Sequence, residues 1–205
     1  MTRKAAFWLI SHLLYQPAII DAIRAETRPA FGPDGSLTDL TKVLENSPQL
    51  EAAWNETMRM YASSASVRMV TADTVISGRR MRPGHRVMIP YRQLHRDESV
   101  WGGDVKVWRP SRWLNKEGTA LSTLGSRADH FRPFGGGSTI CPGRFISKNV
   151  TMMFVALVLH RFDIAMAGGH QPFPEPELFK PVLGIMDIKS GEDMRIRLTP
   201  RKEGV

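Results

Sequence analysis

The stretch that most constrains what this chain can fold into is Phe131-Arg-Pro-Phe-Gly-Gly-Gly-Ser-Thr-Ile-Cys-Pro-Gly-Arg-Phe-Ile146, which holds the only cysteine, Cys141. Three consecutive glycines precede the cysteine and Pro142-Gly143 follow it. An apolar run at helical spacing comes next: Phe145, Ile146, Val150, Met153, Phe154, Leu157 and Val158. A tight glycine turn therefore presents one thiol at the mouth of a helix. Pro142 suits the first helical position, because the N–H it lacks would be unpaired there. Free N–H groups and partial positive charge at that end favour an anionic sulfur.

A thiolate in such a place can serve as an axial ligand to haem iron. That use gives the glycines a physical role, since a flat macrocycle approaches the backbone closely only where no Cβ stands in its way. Phe134 would then set an apolar ring beside the sulfur and keep water out. A nucleophilic cysteine and an inert buried one are the other readings of an isolated thiol.

One cysteine rules out an internal disulfide and a multi-cysteine zinc site. The 205 residues are enough to bury a core, and 42% hydrophobic content is that of an ordinary globular protein. The net charge of +8 admits a nucleic-acid surface. However, Lys and Arg are scattered, clustering only at Arg79, Arg80 and Arg82, with no interleaved aromatic residues, so nucleic acid is not expected as a partner. A basic face toward an acidic redox partner or a membrane surface fits better. No segment reaches the roughly 18 apolar residues of a membrane span, and no cleavage site follows the first helix as in a signal peptide.

The pattern predicts a largely buried helix over Thr2–Tyr15, a short amphipathic helix over Ala18–Thr27 and a loop over Arg28–Ser36. A short helix follows at Asp39–Leu44. A stronger one starts at Ser47-Pro48, with Ser47 as cap, and runs to about Tyr61 on a stripe of Leu50, Ala53, Trp54, Thr57 and Met58. Glu56 and Arg59 lie three apart on it; in isolation they read as a solvated ion pair worth a few tenths of a kcal/mol. Ser66–Thr71, Thr74–Ile76 and Arg86–Ile89 read as short strands. The tail offers three more, at Phe162–Met166, Val182–Ile188 and Met194–Leu198. His95 and His130 stand alone without ligand spacing and read as surface or structural histidines.

The cysteine stretch closely resembles the haem-binding loop of the cytochrome P450 family, which reads Phe, x, x, Gly, x, x, x, Cys, x, Gly. Phe134, Gly137, Cys141 and Gly143 occupy those positions, and Gly135 matches the commoner form of the loop. Two residues before the cysteine the family mostly has Arg or His, which contacts a haem propionate; here Thr139 stands there. That wording is similar to the branch containing sterol 7α-hydroxylases and prostacyclin synthase. Glu56-Thr-Met-Arg59 resembles the family's Glu-x-x-Arg on the K helix. Trp108-Arg-Pro-Ser-Arg-Trp113 resembles its Phe-x-Pro-Glu-Arg-Phe meander motif, with Trp for both Phe and Ser111 for Glu.

The resemblance implies a mainly α fold with small β-sheets, corresponding to the C-terminal half of the cytochrome P450 fold: the end of the I helix, J, K, meander, cysteine loop, L helix and C-terminal β. Residues 1–205 would form one partial haem-binding domain. It further implies haem b ligated by Cys141, with contacts from Phe134, Gly135, Gly137, Thr139, Gly143 and Arg68, the last to a propionate. Glu56, Arg59 and Arg112 would form a buried structural network, and Thr2 would correspond to the oxygen-side threonine. The implied activity is monooxygenation of an apolar, sterol- or lipid-like substrate, with electrons from an NADPH-cytochrome reductase or similar donor. A peroxide isomerase or dehydratase of the same fold, or a non-catalytic haem-binding fragment, are the alternatives. The family's eukaryotic members sit on the endoplasmic reticulum membrane. The missing distal segments lead to the expectation of a truncated product, an incomplete gene model or a relic.

Overall fold

The computed structural model describes residues 2–121, 123–180, 182 and 184–201. Four elements make its centre: α1 (Thr2–Leu14), α2 (Pro17–Thr27), α4 (Pro48–Tyr61) and α7 (Arg144–Arg161), with the short α3 (Leu40–Leu44) against α7; the short α5 (Tyr91–His95) and α6 (Glu98–Trp101) come between α4 and α7 in the chain. Trp8, Leu9 and Leu13 of α1 meet Leu50, Trp54 and Met58 of α4 and Met152, Val155 and Leu159 of α7. Burying each of these side chains stabilises the fold by roughly 1.5–3 kcal/mol. The Trp8 and Tyr61 rings stack at 4.0 Å, and His12 lies parallel to Trp108 at 4.6 Å with its Nε2 2.9 Å from Tyr61 Oη. A smaller core of Ala52, Trp101, Val105 and Trp113 sits on the other side of α4.

The sheets are three antiparallel pairs. β1 (Ala65–Met69) pairs with β4 (Arg86–Pro90), β2 (Thr74–Ile76) with β3 (Arg79–Met81), and β5 (Phe162–Met166) with β6 (Ile196–Pro200). β3 is a strand that the sequence reading passed over as a basic cluster. A Ser77-Gly78 turn with both residues at positive φ folds it back on β2. The strand predicted over Val182–Ile188 touches residue 183, outside the described residues. Its described part makes isolated bridges instead, Ile185 with Ala62 and Ile188 with Pro176.

Two local expectations change. Ser47 stands at the N-cap of α4 but its hydroxyl donates to the Lys42 carbonyl. The N–H groups of Gln49 and Leu50 are accepted instead by the Glu26 carboxylate of α2, at 3.0 and 2.8 Å. Cutting that cap with Glu26→Ala is expected to cost about 1 kcal/mol at pH 8, read as a lower urea midpoint; an unchanged midpoint would remove Glu26 from this role.

The second change concerns α7, which starts at Arg144 and leaves Pro142 in the preceding turn. The face it buries is Ser147, Thr151, Met152, Val155, Ala156 and Leu159. Phe145, Ile146, Val150 and Phe154, part of the apolar run that marks the helix in sequence, are exposed. The helix is apolar on nearly every side, so its periodicity could not choose the face; contact with α1, α2, α3 and α4 does.

Candidate functional site

Phe134–Gly143 forms a closed loop, because the Cys141 N–H donates to the Phe134 carbonyl at 3.0 Å. Gly135 and Gly137 have φ of 84° and 68°, a region where L side chains are strained. A Cβ at Gly137 would meet nothing within 4 Å, so the backbone there faces open space. Cys141 is half-buried and unpaired in any disulfide. A Cβ at Gly143 would sit 3.7 Å from its Sγ, and the Arg144 guanidinium donates to its carbonyl at 3.2 Å. Phe134 packs half-buried against the main core. Beside the thiol, Ile140, Phe145 and Ile146 leave an apolar surface exposed.

A cleft of about 430 Å³ opens along the same glycine run, lined by Arg68, Tyr91, Asp129, Arg132, Gly136 and Gly137 among others. Arg68, on β1, donates through Nη2 to the Thr139 hydroxyl and through Nη1 to the Val67 carbonyl at 3.1 Å. The structure thus brings Thr139, one of the expected haem-contact residues, against Arg68, the residue expected to meet a propionate. Thr2 lies elsewhere. It lines an apolar groove of about 450 Å³ between α1 and α7, with Phe7, Ile10, Val150 and Phe154.

Behind the loop stands a buried ion network. The Glu56 carboxylate accepts from Arg59 Nε at 2.9 Å and Nη2 at 2.8 Å, and from Arg112 Nε at 3.2 Å. The Arg109 N–H at 3.0 Å and the Trp113 indole N–H at 2.9 Å complete it. All three charged side chains are 0% exposed, so the solvated-pair reading of Glu56 and Arg59 does not hold. Trp for Phe at 108 and 113 adds indole donors: Trp108 donates to the Thr57 hydroxyl and Trp113 to Glu56 itself. Arg112 reaches on to the Trp101 and Asp104 carbonyls at 2.6 Å each. Arg112 Nη2 also pairs with the Asp104 carboxylate at 2.7 Å, and that side-chain hydrogen bond is the main cause holding the carboxyl below the usual range.

His95 connects this network to the cysteine loop, a role that no spacing in the sequence signals. It is fully buried, and its carbonyl accepts from Arg59 Nη1 at 2.8 Å. Its Nε2 lies 2.9 Å from the Arg132 backbone N–H, which can only donate, so Nε2 is the bare nitrogen. Nδ1 therefore carries the proton, toward the Ala62 carbonyl at 3.3 Å. Burial is the main cause lowering its pKa to about 4, which keeps the ring neutral. Among the described residues no group of His, Cys, Asp and Glu could hold a metal ion, and no single helix is long and apolar enough to cross a membrane.

Residues 2–189 match the family model described as "Cytochrome P450". Among curated relatives, the cytochrome P450 monooxygenase poxD of Penicillium oxalicum is 32% identical over 80% of this chain and 34% of its own length. Prostacyclin synthase of Homo sapiens is 30% identical over 96% of this chain and 42% of its own length. The 7-alpha-hydroxycholest-4-en-3-one 12-alpha-hydroxylase of Oryctolagus cuniculus is 28% identical over 97% and 43%. The chain thus spans about a third to two fifths of the length of these relatives.

Proposed function

The chain belongs to the cytochrome P450 family, and from that membership we propose that it is the haem-thiolate portion of a monooxygenase acting on an apolar, sterol- or lipid-like substrate. The observation that carries the reading is the ledge around Cys141: a half-buried thiol, a glycine backbone facing open space at Gly137, and exposed apolar surface at Ile140, Phe145 and Ile146. These residues fit haem b. Cys141 would ligate the iron, Gly137 would let the macrocycle lie close to the backbone, and Arg68 would receive a propionate. When bound, a thiolate-ligated haem activates dioxygen, the sulfur donating electron density that favours O–O cleavage.

The chain's own residues do the rest by holding and excluding. The Glu56–Arg59–Arg112 network and His95 keep the loop in register, and Phe134 and the apolar ledge keep water from the sulfur. Thr2, in the apolar groove between α1 and α7, would be the candidate hydroxyl for holding a proton. A reductase of the NADPH-cytochrome class would supply electrons, and the surplus of basic residues suits an acidic partner or a membrane surface such as the endoplasmic reticulum. The likeness to prostacyclin synthase favours one second reading, a peroxide isomerase; turnover that needs no electron donor would select it.

The test is haem titration followed by the reduced carbon-monoxide difference spectrum. We expect a thiolate-type Soret band that Cys141→Ala abolishes. No such band at saturating haem, or a band that survives the substitution, would overturn the ligand assignment.

A further inference from the structure

We infer that Arg132 is a second carboxylate-binding cation, so that Arg68 and Arg132 receive one haem propionate each; the inference rests on the haem reading above. Haem carries two carboxylates. Thr139, beside the cleft, is a neutral hydroxyl already accepting from Arg68. Within the cleft the cationic side chains are Arg68 and Arg132, against one carboxylate, Asp129. Gly136 and Gly137 form part of its wall, so it is continuous with the ledge that leads to Cys141.

Arg132 is built for this place. Its backbone N–H is anchored on the buried His95 ring at 2.9 Å. A Cβ at Gly136 would lie 3.8 Å from Arg132 Cδ, so the arginine stem crosses the glycine run on its way into the cleft. Its present partner, Asp129, is 2.9 Å away, but that carboxylate's side chain is 87% exposed. Such a pair contributes little, and its exchange for a ligand carboxylate costs correspondingly little. A guanidinium binds a carboxylate through two parallel N–H donors, which a threonine cannot do.

The discriminating experiment titrates the chain with haem and with haem dimethyl ester, whose carboxylates are blocked, following the Soret band. Wild type should prefer the free acid. Arg132→Gln should weaken haem binding about tenfold, the scale of one charge-assisted hydrogen-bond pair, and leave the ester unchanged. Arg132→Lys, which keeps the charge, should recover part of the loss. Equal weakening toward both compounds would make Arg132 a structural residue and overturn the inference, as would no change toward either. A wild-type chain that binds both compounds equally sinks this inference alone and leaves the haem reading standing. One that binds neither sinks both.

Discussion

Glu56→Ala is expected to destabilise this chain by about 3–5 kcal/mol, the cost of leaving an uncompensated buried charge. Two guanidiniums, Arg59 and Arg112, have side chains 0% exposed and meet on this carboxylate; Arg112 would keep Asp104 at 2.7 Å, so Arg59 is the charge left uncompensated. Removing it also strands the Trp113 indole N–H and the Arg109 backbone N–H. Against a total stability of roughly 5–15 kcal/mol for an ordinary domain, that is a large fraction. The urea midpoint should fall steeply, and soluble yield with it. Glu56→Gln keeps the volume and one acceptor oxygen and should lose less, but still more than 1 kcal/mol. A loss of only a few tenths for Glu56→Ala would mean that the pair is solvated after all, as its three-residue spacing alone suggests.

The effect should reach the cysteine loop. Arg59 donates to the His95 carbonyl, and His95 in turn accepts from Arg132 at the start of the loop. Losing Glu56 frees Arg59 and loosens His95, whose Nδ1 faces the Ala62 carbonyl at the C-cap of α4 and whose Nε2 accepts from the Arg132 N–H. Stability and loop register should therefore fail together.

What could be read from the sequence was whatever depends on near neighbours. The glycine turn and the cysteine at a helix mouth are written in consecutive residues. So is the inward stripe of α4, where Leu50, Ala53, Trp54, Thr57 and Met58 are all buried. The choices settled by distant partners were not legible. α7 is apolar on most sides, and only packing against α1 to α4 selects Thr151 and Val155 as inward and leaves Phe154 out. The cap of α4 comes from Glu26, more than twenty residues upstream, while the expected Ser47 turns to Lys42. β3 was hidden because its two arginines read as a charge cluster, and the turn before it places Ser77, not only a glycine, at positive φ. At the site, the glycine loop, Cys141 and the Glu56, Arg59 and Arg112 motifs carry recognisable spacing. His95 and Arg132 carry none, because their roles arise from a contact across 37 residues.

The same buried histidines should make the fold acid-labile well above the carboxylate range. Burial lowers His12 to about 3 and is the main cause lowering His95 to about 4, from an ordinary 6.5. His12 is enclosed by the Trp108 and Phe173 rings, with Tyr61 Oη on its Nε2. His95 faces the cations Arg59 and Arg96, which oppose a further positive charge. Both pKa values are depressed in the folded state, so below 6.5 the unfolded chain takes up the protons first. Their contribution is complete above pH 6.5 and is lost as pH falls toward 4. Together they remove about 5 kcal/mol by pH 4.5. Glu26 acts in the opposite sense: burial, its largest influence, raises it to about 7 against the two backbone N–H bonds that lower it. Its folded form binds a proton more readily, which returns roughly 2–3 kcal/mol over the same span, less after screening, since Glu26 is partly exposed. The net expectation is a loss of at least about 2–3 kcal/mol between pH 7 and pH 4.5, visible as a falling urea midpoint. His12→Phe removes one of the two titrating rings while keeping an aromatic in the stack, and should make the pH slope shallower even if the variant is less stable throughout. A midpoint that stays level from pH 7 to 4.5, or a slope untouched by His12→Phe, would show that these rings are not held neutral by burial.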